Sequence, residues 1–429
     1  MSLLEWVDLL PDGWEAKPLR STADYVVSNV DKVPAENEIP VRLCNYTDVY
    51  NNEFITLALD FMPASASENE IAKFGLLVDD VVITKDSESW DDIGIPALVR
   101  ETANDLVCGY HLALLRPLKQ KMDGAFLFRC LQAKPIRVQL ELAANGVTRF
   151  GIPKSDIGMM TLPVPPLLQQ RAIANYLDRE TARLDALVAA KERVLGLLAE
   201  KRRAFITRAV TRGLDLRAPL RDSGIPWLGE IPAHWNTERS RWLFHERDER
   251  SVTGEEEMLT VSHLTGVTPR SEKDVNMFEA ETNEGYKICC VGDLAINTLW
   301  AWMGAMGVAS VNGIVSPAYH VYQPGPRLEP TYIDALVRMP VFAQEVTRYS
   351  KGVWSSRLRL YPEGFFEVFL PVPPIEEQRA IVAHVVKETA KLDALRSATE
   401  RTILLLKERR AALIAAAVTG KINIAEADT

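Results

Sequence analysis

Two long stretches of the chain carry apolar residues at alternating spacings of three and four. In the first these are Ile173, Leu177, Leu184, Leu187, Val194, Leu198, Phe205 and Ala209. In the second they are Ile381, Val385, Leu392, Leu395, Leu406, Leu413 and Ala417. That spacing keeps one face of an α-helix apolar, and sustained over many turns it makes the seam of a coiled coil. Each stretch runs for about 45 residues without proline after Pro166 or Pro374, prolines that a first helical turn tolerates. At 1.5 Å per residue each helix would be roughly 65 Å long. Lys191, Arg202 and Arg410 interrupt the stripe, and their stems are expected to snorkel to its edge.

Elsewhere the pattern is mixed. Short apolar runs at 76–78, 81–83 and 111–115 are bounded by Asp, Gly and Pro, which predicts strands. Residues 331–349 place Ile333, Leu336, Val337, Phe342 and Val346 on one side and predict a single helix. Residues 294–311 carry no charge, a length that a membrane span would need. Asn297, Thr298, Gly304 and Gly307 within it argue instead for strand and loop.

The chain repeats itself at an offset of 208 residues. Leu-Pro-Val-Pro-Pro at 162–166 returns at 370–374, Gln-Arg-Ala-Ile at 170–173 returns at 378–381, and Leu-Asp-Ala-Leu at 184–187 returns at 392–395. Of the 50 positions from 162 to 211, 28 are identical to their mates at 370–419, so the two segments do the same job. The regions that precede them are related far more loosely. Trp14 has an echo in Trp235, Ile83 in Ile296, and Asn-Gly-Val at 145–147 in Lys-Gly-Val at 351–353. In the first copy the region facing 294–311 contains Lys85, Asp86, Glu88, Asp91 and Asp92, which removes the membrane reading.

With 429 residues, 47% hydrophobic and 25% charged, the chain has the composition of a soluble protein of two or three domains. Its net charge of -9 argues against coating nucleic acid by bulk electrostatics, so DNA binding would be local or shared with a partner. The charge is uneven: the net is -9 over 1–161, +5 over 162–217, -6 over 218–369 and +1 over 370–429. Arg202, Arg203 and Arg208 suit a phosphate or an acidic partner, although a solvated face is the commoner origin of such runs. Cys44, Cys108, Cys130, Cys289 and Cys290 form no C-x-x-C pair and are expected as thiols in a reducing, cytoplasmic setting. Residues 1–8 lack a basic segment and include Glu5 and Asp8, so no secretory signal is expected there.

Catalytic motifs are not evident. There is no phosphate-binding G-x-x-x-x-G-K-[ST] loop, no glycine-rich loop of a methyltransferase, no H-E-x-x-H pair and no G-x-S-x-G turn. Asp12, Glu15 and Lys17 superficially match the carboxylates and lysine of a metal-dependent nuclease. Two intervening residues leave little room to converge on Mg²⁺, and the second copy has Ala233, Asn236 and Arg239 instead.

Two near-identical long helices, each opened by Pro-Pro and a following Gln-Arg-Ala-Ile, alternating with two divergent globular regions, resemble the specificity subunit of type I restriction-modification enzymes. The resemblance covers the whole chain. It implies a mixed α/β (α+β) protein with an internal pseudo-twofold repeat: target-recognition domains at 1–161 and 214–369, and helices at 162–213 and 370–429 packed as an antiparallel coiled coil. The family announces its helix with Glu-Gln after the prolines; Glu377-Gln378 matches, whereas the first copy has Gln169-Gln170. Trp-Leu-Gly-Glu-Ile-Pro-Ala-His-Trp at 227–235 also looks like the family.

What the resemblance implies is a non-catalytic reader of a bipartite double-stranded DNA site, with helices that space the half-sites and dock two modification subunits. No cofactor is expected in this chain. S-adenosylmethionine would sit on the modification subunits, and ATP and Mg²⁺ on motor-nuclease subunits where restriction occurs. Base readout needs forked donors, amides or apolar contacts on loops. The candidates are Lys85, Arg100, Thr148 and Arg149 in the first region, and Asn297, Trp300, Trp302, Lys351, Arg357 and Arg359 in the second. Competing readings are a coiled-coil scaffold that spaces two protein-binding domains, the reader of an orphan adenine methyltransferase, and a diverged nuclease.

Overall fold

A computed structural model describes residues 5–273, 282–353, 358–422 and 424. The chain divides into two compact units, 1–192 with 400–429, and 193–399. Each holds one globular region, the start of one long helix and the end of the other. The long helices are Leu167–Arg212 and Ile375–Val418. Each begins directly after its proline pair, and the carbonyls of Pro166 and Pro374 accept the first helical N–H groups.

The globular part of the first unit is built on a five-stranded sheet in the order Ala23–Val27, Leu112–Pro117, Val81–Thr84, Pro96–Val99, Phe54–Ile55, beside a three-stranded one. Helices Gly124–Gln132 and Lys134–Ala143 follow, then helix Lys154–Met159. Strand Thr161–Val164 then pairs with Glu15–Pro18 and leads into the long helix.

The second unit repeats this plan. Its four-stranded sheet runs Phe244–Arg247, His320–Pro324, Leu294–Ile296, Met306–Val308, followed by helices Pro330–Val337, Pro340–Arg348 and Pro362–Glu367. Strand Phe369–Val372 then pairs with Asn236–Arg239 in the matching register. The duplication faint in the globular sequences thus shows in the order of sheet, helices and closing strand, although the first unit has a five-stranded sheet with a parallel edge pair where the second has four antiparallel strands.

The repeated motifs have specific structural work. Gln170 and Gln378 are fully buried at the starts of the helices. Gln170 accepts from Asp123 N (2.8 Å) and donates to the carbonyls of Lys121 (2.9 Å) and Pro165 (2.8 Å). Gln378 accepts from Glu329 N and donates to the carbonyls of Arg327 and Pro373, each at 2.8 Å. One amide thereby fastens each globular region to its helix. The residue before it accepts the entry tryptophan's indole N–H: Trp14 Nε1 to Gln169 Oε1 at 2.9 Å, Trp235 Nε1 to Glu377 Oε2 at 3.0 Å. A neutral amide and a carboxylate both serve as acceptors, which accounts for Gln169 standing in the first copy where the second has Glu377.

Helix–helix contacts repeat as well. In the first unit Arg410 Nε pairs with Asp185 (2.9 Å) and its Nη2 with Glu53 (2.6 Å). In the second unit the mates Arg202 and Asp393 meet at 3.4 Å. Arg410 is therefore an ion-paired partner of the facing helix, not a stem snorkelling to the edge. Ile173, Ala174 and Leu177 share a core with Ile414, Ala417 and Val418, and Ala209 and Val210 share one with Ile381. Leu187, Leu395 and Val194 lie outside the seam that their spacing predicts, on exposed faces.

Two other expectations are corrected. Residues 76–78 form no strand: Leu76 is buried in the core, whereas Leu77 and Val78 are exposed and lead into a turn. Residues 331–349 form two helices, because Pro340 opens a new one and Met339 before it is extended (ψ 138°). Residues 294–311 are two short strands and a turn, as expected, and no described helix is long and apolar enough to cross a membrane. Four cysteines are buried and Cys290 is half-buried, all as free thiols.

Candidate nucleic-acid interface

In each unit one loop leaves the second helix of the pair and returns through an isolated antiparallel bridge, Asn145 with Gly151 and Lys351 with Arg359. Gly146 has φ 146° and Gly352 has φ 157°, a region favouring glycine. A Cβ on Gly146 would come within 1.9 Å of the Arg149 carbonyl oxygen. The valines that follow, Val147 and Val353, are 92% and 91% exposed. Both units thus carry an almost wholly exposed apolar side chain at the same place.

In the first unit Thr148 and Arg149 are exposed on this loop. Phe150 and Gly151 pair with Ser87 and Asp86, which brings Lys85 alongside. Arg149 Nη2 donates to His111 Nε2 (3.2 Å), so the other ring nitrogen carries the proton and donates to Asp86 Oδ2 (2.6 Å). Lys85 Nζ donates to the second oxygen of Asp86 (2.7 Å). Burial alone would push the Asp86 carboxyl up, but hydrogen bonds from Lys85 and His111 outweigh it and hold it below its ordinary value. His111 itself sits at φ 68°, rare for a non-glycine residue. The result is a fixed relay that presents Arg149 with several donors still available.

Arg100 stands elsewhere. Its Nη2 donates to Asp178 Oδ2 (2.5 Å) on the long helix, and its guanidinium lies over Phe54. The adjoining Arg129, itself buried, donates to Asp178 (2.7 Å) and Thr181 (3.1 Å). Arg100 thus ties the globular region to its helix, which corrects its place among the base-contacting candidates.

In the second unit Lys351 and Arg359 are exposed on the loop, and Arg357 lies outside the described residues. Leu360 N donates to Thr298 O (3.2 Å), which seats this loop beside the turn carrying Trp300 and Trp302. Trp300 is 49% exposed, and its ring is near parallel to that of Trp302 with centroids 6.4 Å apart. Asn297 is a second correction. It is only 6% exposed, donates to Tyr319 Oη (3.0 Å) and accepts from Leu299 N (3.2 Å), so its amide supports the turn from beneath.

Sequence reasoning selected the loops but missed His111 and Asp86, which hold Arg149. The sequence signal is weak: His111 lies in the turn before strand Leu112–Pro117, whereas His320 is the first residue of the corresponding strand. The suspected nuclease residues do not converge on a metal. Glu15 and Lys17 pair with each other on an exposed strand, and no described cluster of His, Cys, Asp or Glu could hold an ion.

No family model matches the chain. It is 28% identical over 209 residues to the type I restriction enzyme EcoKI specificity subunit of Escherichia coli, covering 47% of this chain and 43% of that protein. The chain spans about half the length of the curated relatives it matches. In fold it is similar to the HsdS subunit from Thermoanaerobacter tengcongensis (TM-score 0.56, 18% identity, covering 96% of this chain and 98% of that one). It is also similar to a chain from a structure describing complex assembly and conformational transition of the type I R-M system (TM-score 0.65, 18% identity, 96% and 99% covered). The chain thus shares sequence with type I restriction enzyme specificity subunits over about half of its length, and shares a fold with the two solved chains over nearly all of it.

Proposed function

We propose that this chain is the DNA-recognition subunit of a type I restriction-modification complex. It is non-catalytic: each globular region reads one half of a bipartite duplex site, and the long helices dock modification subunits that carry S-adenosylmethionine. Motor-nuclease subunits holding ATP and Mg²⁺ join where restriction occurs. The observation that carries this reading is a pair of repeated surfaces with opposite variability. The loops at 145–151 and 351–359 are closed by equivalent bridges, Asn145 with Gly151 and Lys351 with Arg359, with Gly-Val following Asn145 and Lys351, but bear different polar side chains, as two unlike half-sites require. The helices repeat identical exposed leucines, Leu197 (64%) with Leu405 (54%) and Leu187 with Leu395, as two copies of one partner require.

The acidic balance fits a reader whose partners supply much of the phosphate contact. The test is methylome sequencing of cells expressing this chain with its neighbouring modification subunit, against cells with the modification subunit alone. The expected outcome is a split motif carrying N6-methyladenine that depends on this chain. An assembled complex that adds no methylation would overturn the reading in favour of a protein-spacing scaffold.

A further inference from the structure

The two units present different chemistry at the same place. In the first, the segment after strand Val81–Thr84 is charged and bound into the Lys85–Asp86–His111–Arg149 relay. In the second, the segment after strand Leu294–Ile296 is an apolar turn exposing Leu299, Trp300 and Met303, with Trp302 half-buried beside them. This turn is rigid. Asn297 and Thr298 are buried and fasten it to Tyr319 and to the Ala318 carbonyl (2.8 Å), and the Trp302 indole donates to the Leu299 carbonyl (3.0 Å). Helix Pro340–Arg348 packs behind it. Lys351 and Arg359 flank it on the neighbouring loop.

We propose that Trp300 and Trp302 form an apolar wedge that enters a base step of one half-site and unstacks it, while Lys351 and Arg359 hold the adjoining phosphates. The inference rests on the DNA-reading function proposed above. Contact with a thymine methyl needs one small apolar group, whereas two indoles with a leucine and a methionine exceed what such a methyl covers. Bulky apolar groups on a fixed support are what unstacking a step requires, because the support must not yield when the step resists. Lys351 and Arg359, on the loop whose Leu360 N–H is bonded to the Thr298 carbonyl of the turn, suit the phosphates of duplex DNA better than an apolar protein face. The first unit, with its charged relay, reads its half by hydrogen bonding without a wedge.

The test uses the full complex of this chain with its modification subunits and the duplex identified by methylome sequencing, with 2-aminopurine placed in turn at each position of both half-sites. Apart from the methylatable adenine of each half-site, which an adenine methyltransferase flips out of the stack, a severalfold rise in fluorescence is expected at one step of one half-site only. It should be lost in the Trp300→Ala/Trp302→Ala double variant, with affinity falling roughly tenfold or more. The Trp300→Phe variant, which keeps an aromatic ring, should retain most of the rise. A signal at that step that persists in the double variant overturns the wedge, as does specific binding by the parent complex with no unstacking beyond the methylatable adenines. Loss of modification subunits from the double variant, with its melting temperature unchanged, also overturns it by making the turn a protein contact. Failure of the parent complex to retain any duplex specifically would instead overturn the DNA-reading function.

Discussion

Glu377 and Gln169 occupy mated positions and accept the same indole N–H, and Glu377 Oε2 also meets His234 Nε2 at 2.8 Å where the first copy has Gly13. Glu377→Gln should change stability by under about 1 kcal/mol, whereas Glu377→Leu leaves the buried Trp235 N–H without a partner and should cost about 1–3 kcal/mol. Urea unfolding of the full chain measures both. Asp86 offers a pH test. Its folded carboxyl titrates below the usual value near 4, so its bonds to Lys85 and His111 stabilise the fold fully above that value and are lost as pH falls through the lower, folded one. Asp86→Asn should therefore lower the melting temperature at neutral pH, and the gap from the parent should close in acid. Melting curves from about pH 3 to 7 decide this, and a gap that stays constant would show that the carboxylate's charge is immaterial.

The long helices are legible as elements from spacing alone, yet the spacing misplaces part of their surface. A three-and-four pattern identifies an apolar stripe without saying whether every position on it meets the partner helix. Leu187 and Leu395 satisfy the pattern and stay exposed, while Arg410 breaks it and is engaged with Asp185 and Glu53. Leu197 and Leu405 fall off the predicted stripe and are exposed in both copies. The double substitution Leu197→Glu/Leu405→Glu should leave the melting temperature within a few degrees of the parent, since both side chains already face water. Co-purification with the modification subunit should fall sharply; undiminished co-purification would place that partner elsewhere. Pro340 shows the opposite limit. Its local effect overrides a helical pattern that is otherwise continuous from 331 to 349.

For the whole molecule, the helices as spacers carry a geometric consequence. Inserting one helical turn after Leu187 adds about 5.4 Å, equivalent to roughly one to two base pairs at 3.4 Å each. Methylome sequencing should show the gap of the split motif widened with both half-sites unchanged; an altered half-site would contradict the spacer role. The sequence by itself determined the duplication, the two long helices, the loops at 145–147 and 351–353 and the likeness to specificity subunits, because covalent order and periodicity are local properties. Tertiary structure decided which residues those loops present. Arg100 and Asn297 carry chemistry suited to base contact, but Arg100 is held at the surface by its ion pair with Asp178, and Asn297 is buried against Tyr319. His111 and Asp86 become part of the candidate interface only because strand pairing brings residues distant in sequence within hydrogen-bond reach of Arg149. A side chain's type is written in the sequence, whereas its partners and its exposure are set by whatever packs against it.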